Sequence, residues 1–322
     1  MQIVITGGAG FLGQQLTRTL LARGQIMGRS IQKLLVFDTN PAQLVVDPRL
    51  EIVQGDITDS HTIRALMTDE IGLIFHLAAV VSGEAEQNFE LGMRVNLLAT
   101  LNLLERCRQL AHRPRLVFAS SVAVFGGDLP PVIEDGTALN PQSSYGTQKA
   151  VGELLVNDYS RKNFIDGRAL RLPTIVVRPG KPNKAASTFA SSIIREPLQG
   201  QTAVCPVAPA TRLWIQSPRR AIENLLYAAE LPPAAWGNSR VVALPGLSVS
   251  IQEMVDSLQE IAGQKVIRRI VWQPDPFIEK IVGGWPVDFA PQRALALGFR
   301  ADHSIGEIIE AFIEDELLGV RR

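Results

Sequence analysis

Short apolar runs that end in glycine or polar residues alternate along the chain with longer segments in which apolar residues recur every three or four positions. Runs of this kind are typical of buried strands, and the longer segments are typical of amphipathic helices. The predicted strands cover 2–6, 33–38, 50–53, 72–76, 115–119 and 168–177. The predicted helices follow the first strand and cover 58–67 and 84–110, with another beginning at Ser143 or Ser144. This alternation predicts right-handed crossovers and a parallel sheet that helices cover on both faces.

The pattern changes beyond Pro179, where prolines and short segments dominate. Helices are predicted at about 188–198, 218–229, 251–262 and 305–317. Ser217 and Pro218 form a clear helix start, because serine is a good N-cap and proline fits the first turn. The sequence therefore predicts an α/β fold, with a Rossmann-type doubly wound parallel sheet followed by a smaller C-terminal cap.

The first strand runs into a glycine cluster, Thr6-Gly-Gly-Ala-Gly-Phe-Leu-Gly13, and a helix follows. Gly7 permits a tight turn, Gly10 lets the backbone approach a pyrophosphate, and Gly13 lets the helix pack closely. The amides and positive dipole of the first helical turn then attract the anion. A plain strand-to-helix turn uses the same residues, so the cluster alone does not establish a nucleotide site.

Acidic residues end the next two strands. Asp38 lies where a carboxylate can bind the ribose hydroxyls of a dinucleotide, and it would repel a 2′-phosphate, which favours NAD over NADP. The segment Gly24 to Ser30 accounts for its greater distance from the glycines. Asp56 and Ile57 follow the third strand, where the carboxylate can meet the adenine amine. The alternatives are an N-cap or loop acid for Asp38 and a turn aspartate for Asp56.

The composition argues against several classes of binding partner. The 322 residues include 32 basic and 32 acidic ones, so no excess charge indicates nucleic acid or an anionic membrane. The two cysteines, Cys107 and Cys205, form neither a disulfide framework nor a metal cluster. No apolar run reaches membrane-spanning length, and the first strand begins at residue 2, so we expect a cytoplasmic protein without a signal peptide.

Tyr145 and Lys149 are four residues apart, which places a phenol and an ammonium on one face of the helix that follows the fifth strand. A phenol that acts as a base near neutrality needs its pKa lowered by about three units, or roughly 4 kcal/mol, and nearby positive charge has this effect. The alternative is an ordinary solvated helix face. The position of this pair at the carboxyl edge of the sheet favours a catalytic role, because open α/β sheets bind ligands there.

Hydroxyl groups end the fifth strand at Ser120 and Ser121. A serine at this edge can donate to a carbonyl or alkoxide oxygen as negative charge develops there. The alternative is a serine pair that caps the strand end. His76 belongs to the end of the fourth strand, and we expect it to be a buried structural histidine.

Taken together, these motifs resemble the extended short-chain dehydrogenase/reductase superfamily, which contains sugar-nucleotide epimerases and dehydratases. The matches are Thr6 to Gly13, Asp38, Asp56-Ile57, His76-Leu-Ala-Ala79, Asn96, Ser120-Ser121 and Tyr145 with Lys149. The resemblance implies an NAD-binding Rossmann fold and catalysis by Ser121, Tyr145 and Lys149. It also implies that Asn96 holds the helix backbone behind the active site. The implied cofactor-binding residues are Gly7, Gly10, Phe11, Leu12, Gly13, Asp38, Asp56, Ile57, Leu77, Ala78, Asn96, Tyr145, Lys149 and Pro173.

Departures from the sugar-nucleotide pattern bear on the substrate. Phe125-Gly126 stands where a Tyr-Gly pair is usual, and Thr174 stands in place of an asparagine. The segments 171–186, 194–198, 244–249 and 281–286 instead resemble the D-erythronate dehydrogenases. That resemblance implies oxidation of the 2-hydroxyl of a four-carbon sugar acid with NAD. A nucleotide-sugar epimerase or dehydratase is the alternative, and an NAD-sensing regulator would be expected to lack the Ser121, Tyr145 and Lys149 set.

A small acid substrate also fits the basic residues Arg178, Lys181 and Lys184, which follow the sixth strand and can pair with a carboxylate. The alternative is surface charge on a loop. The predicted substrate-binding residues are Ser82, Ser121, Tyr145, Thr174, Arg178 and Lys184. The predicted domains are an NAD-binding domain at 1–178, to which 212–245 returns, and a substrate-binding cap at 179–211 and 246–322. Apolar stripes on helices 84–110 and 144–160 favour a homodimer.

Overall fold

The strands follow the chain in the rhythm of the apolar runs. The computed structural model describes residues 1–42, 44, 46–180 and 185–318. The strands are β1 (Gln2–Thr6), β2 (Gln25–Ile26), β3 (Arg29–Ser30), β4 (Lys33–Asp38), β5 (Leu50–Gln54), β6 (Ile71–His76), β7 (Arg115–Ser121), β8 (Ile133–Glu134), β9 (Asp166–Leu172), β10 (Thr174–Ile175), β11 (Ala203–Cys205), β12 (Arg212–Gln216), β13 (Val241–Ala243), β14 (Leu247–Ser250), β15 (Ile270–Trp272) and β16 (Phe289–Ala290).

Helices lie between most of these strands. They are α1 (Phe11–Arg23), α2 (Ser60–Leu66), α3 (Ser82–Gln87), α4 (Phe89–Gly92), α5 (Ala99–Arg108), α6 (Ser144–Arg161), α7 (Thr188–Leu198), α8 (Pro218–Glu230), α9 (Ile251–Ala262), α10 (Gln264–Ile267), α11 (Pro276–Gly283), α12 (Gln292–Leu297) and α13 (Ile305–Phe312). Two π-helical segments, Met93–Leu98 and Ile313–Leu317, adjoin α5 and α13. No helix in the described ranges is long and apolar enough to cross a membrane.

The chain divides into two compact units. Unit 1 contains residues 1–124, 143–171 and 222–242, and unit 2 contains 125–142, 172–221 and 243–322. The predicted domain limits do not coincide with this grouping at every point and stay a prediction.

The central sheet has seven parallel strands in the order β13-β9-β7-β6-β1-β4-β5. Ile3, Val4 and Ile5 of β1 are completely buried, as expected for a central strand that helices cover on both faces. Strand β1 pairs with β4 on one side and with β6 on the other, so the strand order changes direction at β1. Ligands bind at this switch point in doubly wound folds, and the prediction of a Rossmann-type α/β fold is confirmed.

The sixth predicted strand, 168–177, is shorter than the apolar run suggested. Strand β9 ends at Leu172, and Thr174 and Ile175 instead pair with β12 in a separate sheet of unit 2. Pro173 lies between them, and a proline cannot donate to the ladder of a sheet. The single-strand prediction was therefore wrong beyond Leu172.

The predicted helix 84–110 is divided into α3, α4, a π-helical segment and α5. Asn88 causes the first break, because its backbone leaves the helical region and its side chain accepts a hydrogen bond from the Leu91 amide. The connection after α1 holds a hairpin, β2–β3, that the sequence pattern does not predict. Met27 and Gly28 have φ of 55° and 69°, which is the conformation of a tight two-residue hairpin turn.

Candidate active site

The glycine turn after β1 lies against the first residues of the loop that follows β6. Gly7 has φ of 71°, and a Cβ atom there would lie 2.6 Å from the amide nitrogen of Ala78. A Cβ atom on Gly13 would lie 2.4 Å from the carbonyl oxygen of Gly7. Gly10 is the N-cap of α1 and has no side-chain hydrogen bond to the helix, and half-buried Phe11 and Leu12 begin the first turn. These close contacts leave the start of α1 to backbone amides, which suits a pyrophosphate.

Asp38 is the last residue of β4, and its carboxylate holds the glycine turn. One oxygen, Oδ2, accepts a hydrogen bond from the Ala9 amide at 3.0 Å, and Oδ1 accepts one from the Asn40 amide at 3.0 Å. The acid therefore lies beside the turn that it was predicted to serve, in the position from which ribose hydroxyls are bound in this fold.

Asp56 and Ile57 have different surroundings. Asp56 is exposed, and its Oδ1 accepts a hydrogen bond from the Thr58 amide at 2.8 Å, which is the geometry of an aspartate turn. Ile57 is 5% exposed and belongs to the hydrophobic core of unit 1. The turn alternative therefore describes the contacts of Asp56, and its contact with an adenine stays a prediction.

Asn96 organises the loop after β6 from within the π-helical segment. It is 1% exposed; its Oδ1 accepts from the Val80 amide at 2.8 Å, and its Nδ2 donates to the Val80 carbonyl at 3.1 Å. Nδ2 also donates to Gln148 Oε1 at 2.7 Å. The side chain was expected to hold helix backbone, but it binds loop backbone and a side chain of α6. This loop also carries half-buried Leu77 and Ala78, and half-buried Ser82 begins α3.

Tyr145 and Lys149 share one side of α6. The Nζ atom of Lys149 lies 5.6 Å from the centroid of the Tyr145 ring and 4.7 Å from that of Phe118. It donates a hydrogen bond to the carbonyl of Ala119 at 2.8 Å. Burial lowers the pKa of Lys149 to about 8, and the nearby Glu153 carboxylate opposes this shift. The predicted pair is therefore a buried ammonium beside a half-buried phenol.

The two serines at the end of β7 have different surroundings. Ser120 is 2% exposed and donates to Glu153 Oε1 at 2.5 Å, while Glu153 also forms an ion pair with Arg171 at 2.8 Å. Ser121 is half-buried, and its Oγ accepts from the Ala123 amide at 3.1 Å. Lys149 binds the carbonyl of Ala119, two residues before Ser121, so α6 is anchored to the strand end that carries this hydroxyl. Ser120 is therefore buried against Glu153, and Ser121 is the more accessible of the two hydroxyls.

Sequence reasoning missed Glu86, which fixes the start of α6. Its Oε2 accepts a hydrogen bond from the Ser144 amide at 2.9 Å, and Ser143 Oγ accepts one from the Gly146 amide at 3.1 Å. Tyr145 therefore lies in a first turn capped from two sides. The serine was a recognisable N-cap signal, but the carboxylate comes from α3, 58 residues earlier, and no local pattern indicates it.

Unit 2 holds the predicted cofactor contact Pro173 and the predicted substrate contacts Thr174 and Arg178. Pro173 is buried, Thr174 is half-buried, and the half-buried guanidinium of Arg178 donates to the Ile175 carbonyl at 3.0 Å and to Ser187. Arg195 in turn donates to the carbonyl of Arg178 at 2.6 Å. Arg178 is therefore held by its neighbours. The predicted contact Lys184, and Lys181, lie outside the described residues.

The described residues suit a dinucleotide better than a metal ion. Among the described residues, no group of three His, Cys, Asp or Glu side chains could hold a metal ion. The glycine turn with its positive φ at Gly7, the uncapped start of α1 and the Asp38 carboxylate fit a dinucleotide.

Comparisons with known proteins bear on the same residues. Residues 3–217 match the family model described as the NAD dependent epimerase/dehydratase family. The D-erythronate dehydrogenase of Cupriavidus necator is 55% identical over 319 residues, which cover 98% of each chain. That of Haemophilus influenzae is 46% identical over 318 residues, which cover 98% of this chain and 100% of the relative. A crystal structure of a nucleoside-diphosphate-sugar epimerase from Agrobacterium tumefaciens has a TM-score of 0.94 and 42% identity, covering 99% of this chain and 95% of that one.

Proposed function

The chain belongs to the NAD dependent epimerase/dehydratase family, and from this premise we propose that it is an NAD-dependent dehydrogenase that oxidises the 2-hydroxyl of D-erythronate to the 2-oxo acid. The observation that carries the chemistry is the pair of Tyr145 and Lys149 on α6. The hydrogen bond of Lys149 to Ala119 anchors this helix to the strand that ends in Ser121. The substrate is supported by two relatives named D-erythronate dehydrogenase, which match at 55% and 46% identity over nearly the whole chain.

In this proposal Tyr145 takes the proton from the C2 hydroxyl, and the Ser121 hydroxyl donates a hydrogen bond to the same oxygen. The positive charge of Lys149 favours the phenolate form of Tyr145. Bound NAD supplies the acceptor for the hydride that leaves C2. The caps that Glu86 and Ser143 place on α6 hold Tyr145 in position, and such positioning contributes much of the rate acceleration in reactions of this kind.

The preference for NAD rests on Asp38. Its carboxylate stands at the end of β4 beside the glycine turn, where it can accept hydrogen bonds from ribose hydroxyls and would repel a 2′-phosphate. The backbone of the glycine turn and of the start of α1 would hold the pyrophosphate, with Leu77 and Ala78 against the adenosine.

Arg178 is proposed to bind the substrate carboxylate. A guanidinium presents its donors in a planar fork that matches a carboxylate, and the contacts to Ile175 and Ser187 hold this one in a fixed orientation. Ser82 and Thr174 are proposed as further substrate contacts.

The test is an NADH absorbance assay of the purified protein with D-erythronate, its three stereoisomers and the corresponding polyol. We expect NADH formation with D-erythronate and a product two hydrogen atoms lighter by mass spectrometry. Tyr145→Phe is expected to abolish turnover while NAD still binds in calorimetry. Absence of NADH with D-erythronate, or retained turnover in the variant, would contradict the proposal.

A nucleotide-sugar epimerase or dehydratase is the alternative, supported by the name of the Agrobacterium tumefaciens protein. Binding of a UDP- or GDP-sugar at micromolar concentration, measured by calorimetry, would favour it. The homodimer and the cytoplasmic location stay predictions. Phe89, Leu98 and Leu154 of unit 1 are exposed apolar side chains on the helices that were expected to pair.

A further inference from the structure

A buried row of hydrogen bonds crosses unit 1 through His76. The Oγ1 atom of Thr6 lies 2.7 Å from His76 Nδ1, and Thr100 Oγ1 lies 2.9 Å from His76 Nε2. Thr6 and His76 are 0% exposed and Thr100 is 1% exposed. Buried polar groups need hydrogen-bond partners, and protein groups supply them here.

The direction of each bond follows from the partners. Thr100 Oγ1 donates its one proton to the carbonyl of Asn96 at 2.8 Å, so it must accept from His76 Nε2–H. The ring is neutral, because burial and the Lys149 ammonium lower the pKa of His76 to about 3. A neutral ring that is protonated at Nε2 accepts at Nδ1, and Thr6 therefore donates to it. The Ala78 amide, 3.4 Å away, then donates to Thr6 Oγ1.

The row joins the two parts of the proposed site. Thr6 directly precedes Gly7, and Ala78 is the residue against which Gly7 is pressed. At the other end, Asn96 holds the Val80 loop and, through Gln148, the turn of α6 that lies between Tyr145 and Lys149. A shift at either end is therefore transmitted through His76.

We propose that His76 is a positioning residue: as the neutral Nε2–H tautomer, it sets the spacing between the glycine turn and the π-helical segment that supports α6. This inference deepens the proposed function, since the turn is the proposed cofactor site. His76 also stacks on Phe118, with 5.6 Å between the ring centroids. If filling the core were its only role, its tautomer would not matter.

The first test is the tautomer itself, read from ¹⁵N–¹H NMR of the imidazole in the protein without ligands. We expect the Nε2–H form and no titration of His76 between about pH 5 and 8, where a histidine of ordinary pKa changes charge. An Nδ1–H tautomer, or an imidazolium in this range, would overturn the proposal. The measurement needs no substrate, so it is independent of whether D-erythronate is oxidised.

The second test removes one bond of the row. Thr100→Val keeps the shape of the side chain but deprives Nε2–H of its acceptor, so the row no longer fixes the position of the glycine turn. We expect NAD to bind about tenfold more weakly in calorimetry, which is the size of effect that substitutions along such a connecting network have on a binding site. Thr100→Ser keeps the hydroxyl and is expected to bind NAD within twofold of the natural protein.

The matched control is Thr17→Val. Thr17 is also completely buried, and it also donates to the carbonyl four residues earlier, but the described contacts give it no histidine partner. We expect Thr17→Val to lower the melting temperature less than Thr100→Val does, because it leaves no buried donor without an acceptor, and to leave the His76 resonances unchanged. Equal NAD affinity in Thr100→Val and the natural protein would overturn the proposal. Should Thr100→Val fail to fold, the tautomer measurement on the natural protein still decides.

Discussion

The ammonium of Lys149 lies 5.6 Å from the centroid of the Tyr145 ring and donates to the carbonyl of Ala119. This arrangement places a positive charge where the protein excludes water, since Lys149 is 2% exposed. Charges are weakly screened in such a site, so the ammonium acts strongly on the neighbouring phenol. The same burial disfavours the charged form of the lysine itself. The geometry that suits the proposed chemistry therefore lowers the stability of the folded state.

This cost can be measured with Lys149→Met. Burial lowers the pKa of Lys149 from 10.5 to about 8, and at about 1.4 kcal/mol per unit the charged form is disfavoured by about 3 kcal/mol. The lost hydrogen bond to Ala119 offsets about 1 kcal/mol. We expect Lys149→Met to raise the free energy of unfolding at pH 7 by about 2 kcal/mol, measured by urea denaturation, while abolishing turnover.

The expected gain in unfolding free energy in Lys149→Met depends on pH. Below pH 8 the cost is fully present, and it is relieved as the pH rises from about 8 towards 10.5, because the unfolded chain then binds more protons than the folded one. The advantage of Lys149→Met is therefore expected to shrink over this range. Lys162→Met removes an exposed lysine of the same unit and is the control, with no stabilisation expected. A Lys149→Met protein less stable than the natural one at pH 7 would contradict the argument.

Ser120 and Ser121 provide a matched pair of neighbours. Ser121→Ala removes the proposed donor to the reacting oxygen, and we expect kcat to fall about 100-fold with little loss of stability. Ser120→Ala leaves the buried Glu153 carboxylate without one hydrogen bond, so we expect a loss of about 1–3 kcal/mol in unfolding free energy and near-normal kcat. Steady-state kinetics and urea denaturation of both variants make the comparison. A larger loss of kcat in Ser120→Ala would reverse the assignment.

Much of the fold was predictable because its strands are uninterrupted apolar runs. Strands β1, β4 and β6 lie within one residue of their predicted limits. The residues expected at the strand ends, including Asp38 and Ser121, do lie there. The position of a residue along a strand follows directly from the sequence once the limits of the strand are known. Helices α7 and α9 begin and end at their predicted residues.

What could not be predicted depends on contacts between distant residues. The helix predicted over 84–110 was wrong as a continuous element, because helical spacing persists across Asn88 and through the π-helical segment that holds Asn96. Glu86 was not recognised as a cap of α6, since its partner Ser144 is remote in sequence. His76 was correctly expected to be buried, but its two threonine partners come from β1 and α5.

Asp38 combines two roles that different substitutions separate. Asp38→Ala removes the charge and also the acceptor of the Ala9 amide, so it loosens the turn as well as the selectivity. Asp38→Asn keeps an oxygen acceptor and removes the charge that would repel a 2′-phosphate. We expect the ratio of kcat/KM for NAD to that for NADP to fall at least about tenfold in both variants, because the repulsive element is lost in each.

Affinity for NAD distinguishes the two substitutions. Calorimetry is expected to show weaker binding in Asp38→Ala than in Asp38→Asn. An unchanged ratio of NAD to NADP use in Asp38→Asn would show that the carboxylate does not determine cofactor choice.

Arg178 is the residue through which the proposed acid specificity can be tested. Arg178→Gln removes the charge while keeping a polar side chain, and a hydrogen bond to a charged group contributes about 1.5–3 kcal/mol, so KM for D-erythronate is expected to rise roughly 10- to 150-fold. The smaller change should be in kcat, because the carboxylate does not react. Arg178→Lys keeps the charge but lacks the planar fork, and an intermediate KM is expected. The corresponding polyol, which has no carboxylate, is the control substrate, and its kcat/KM should be the same in all three proteins. An equal loss for the acid and the polyol would show that Arg178 maintains the structure of its loop instead of binding the carboxylate.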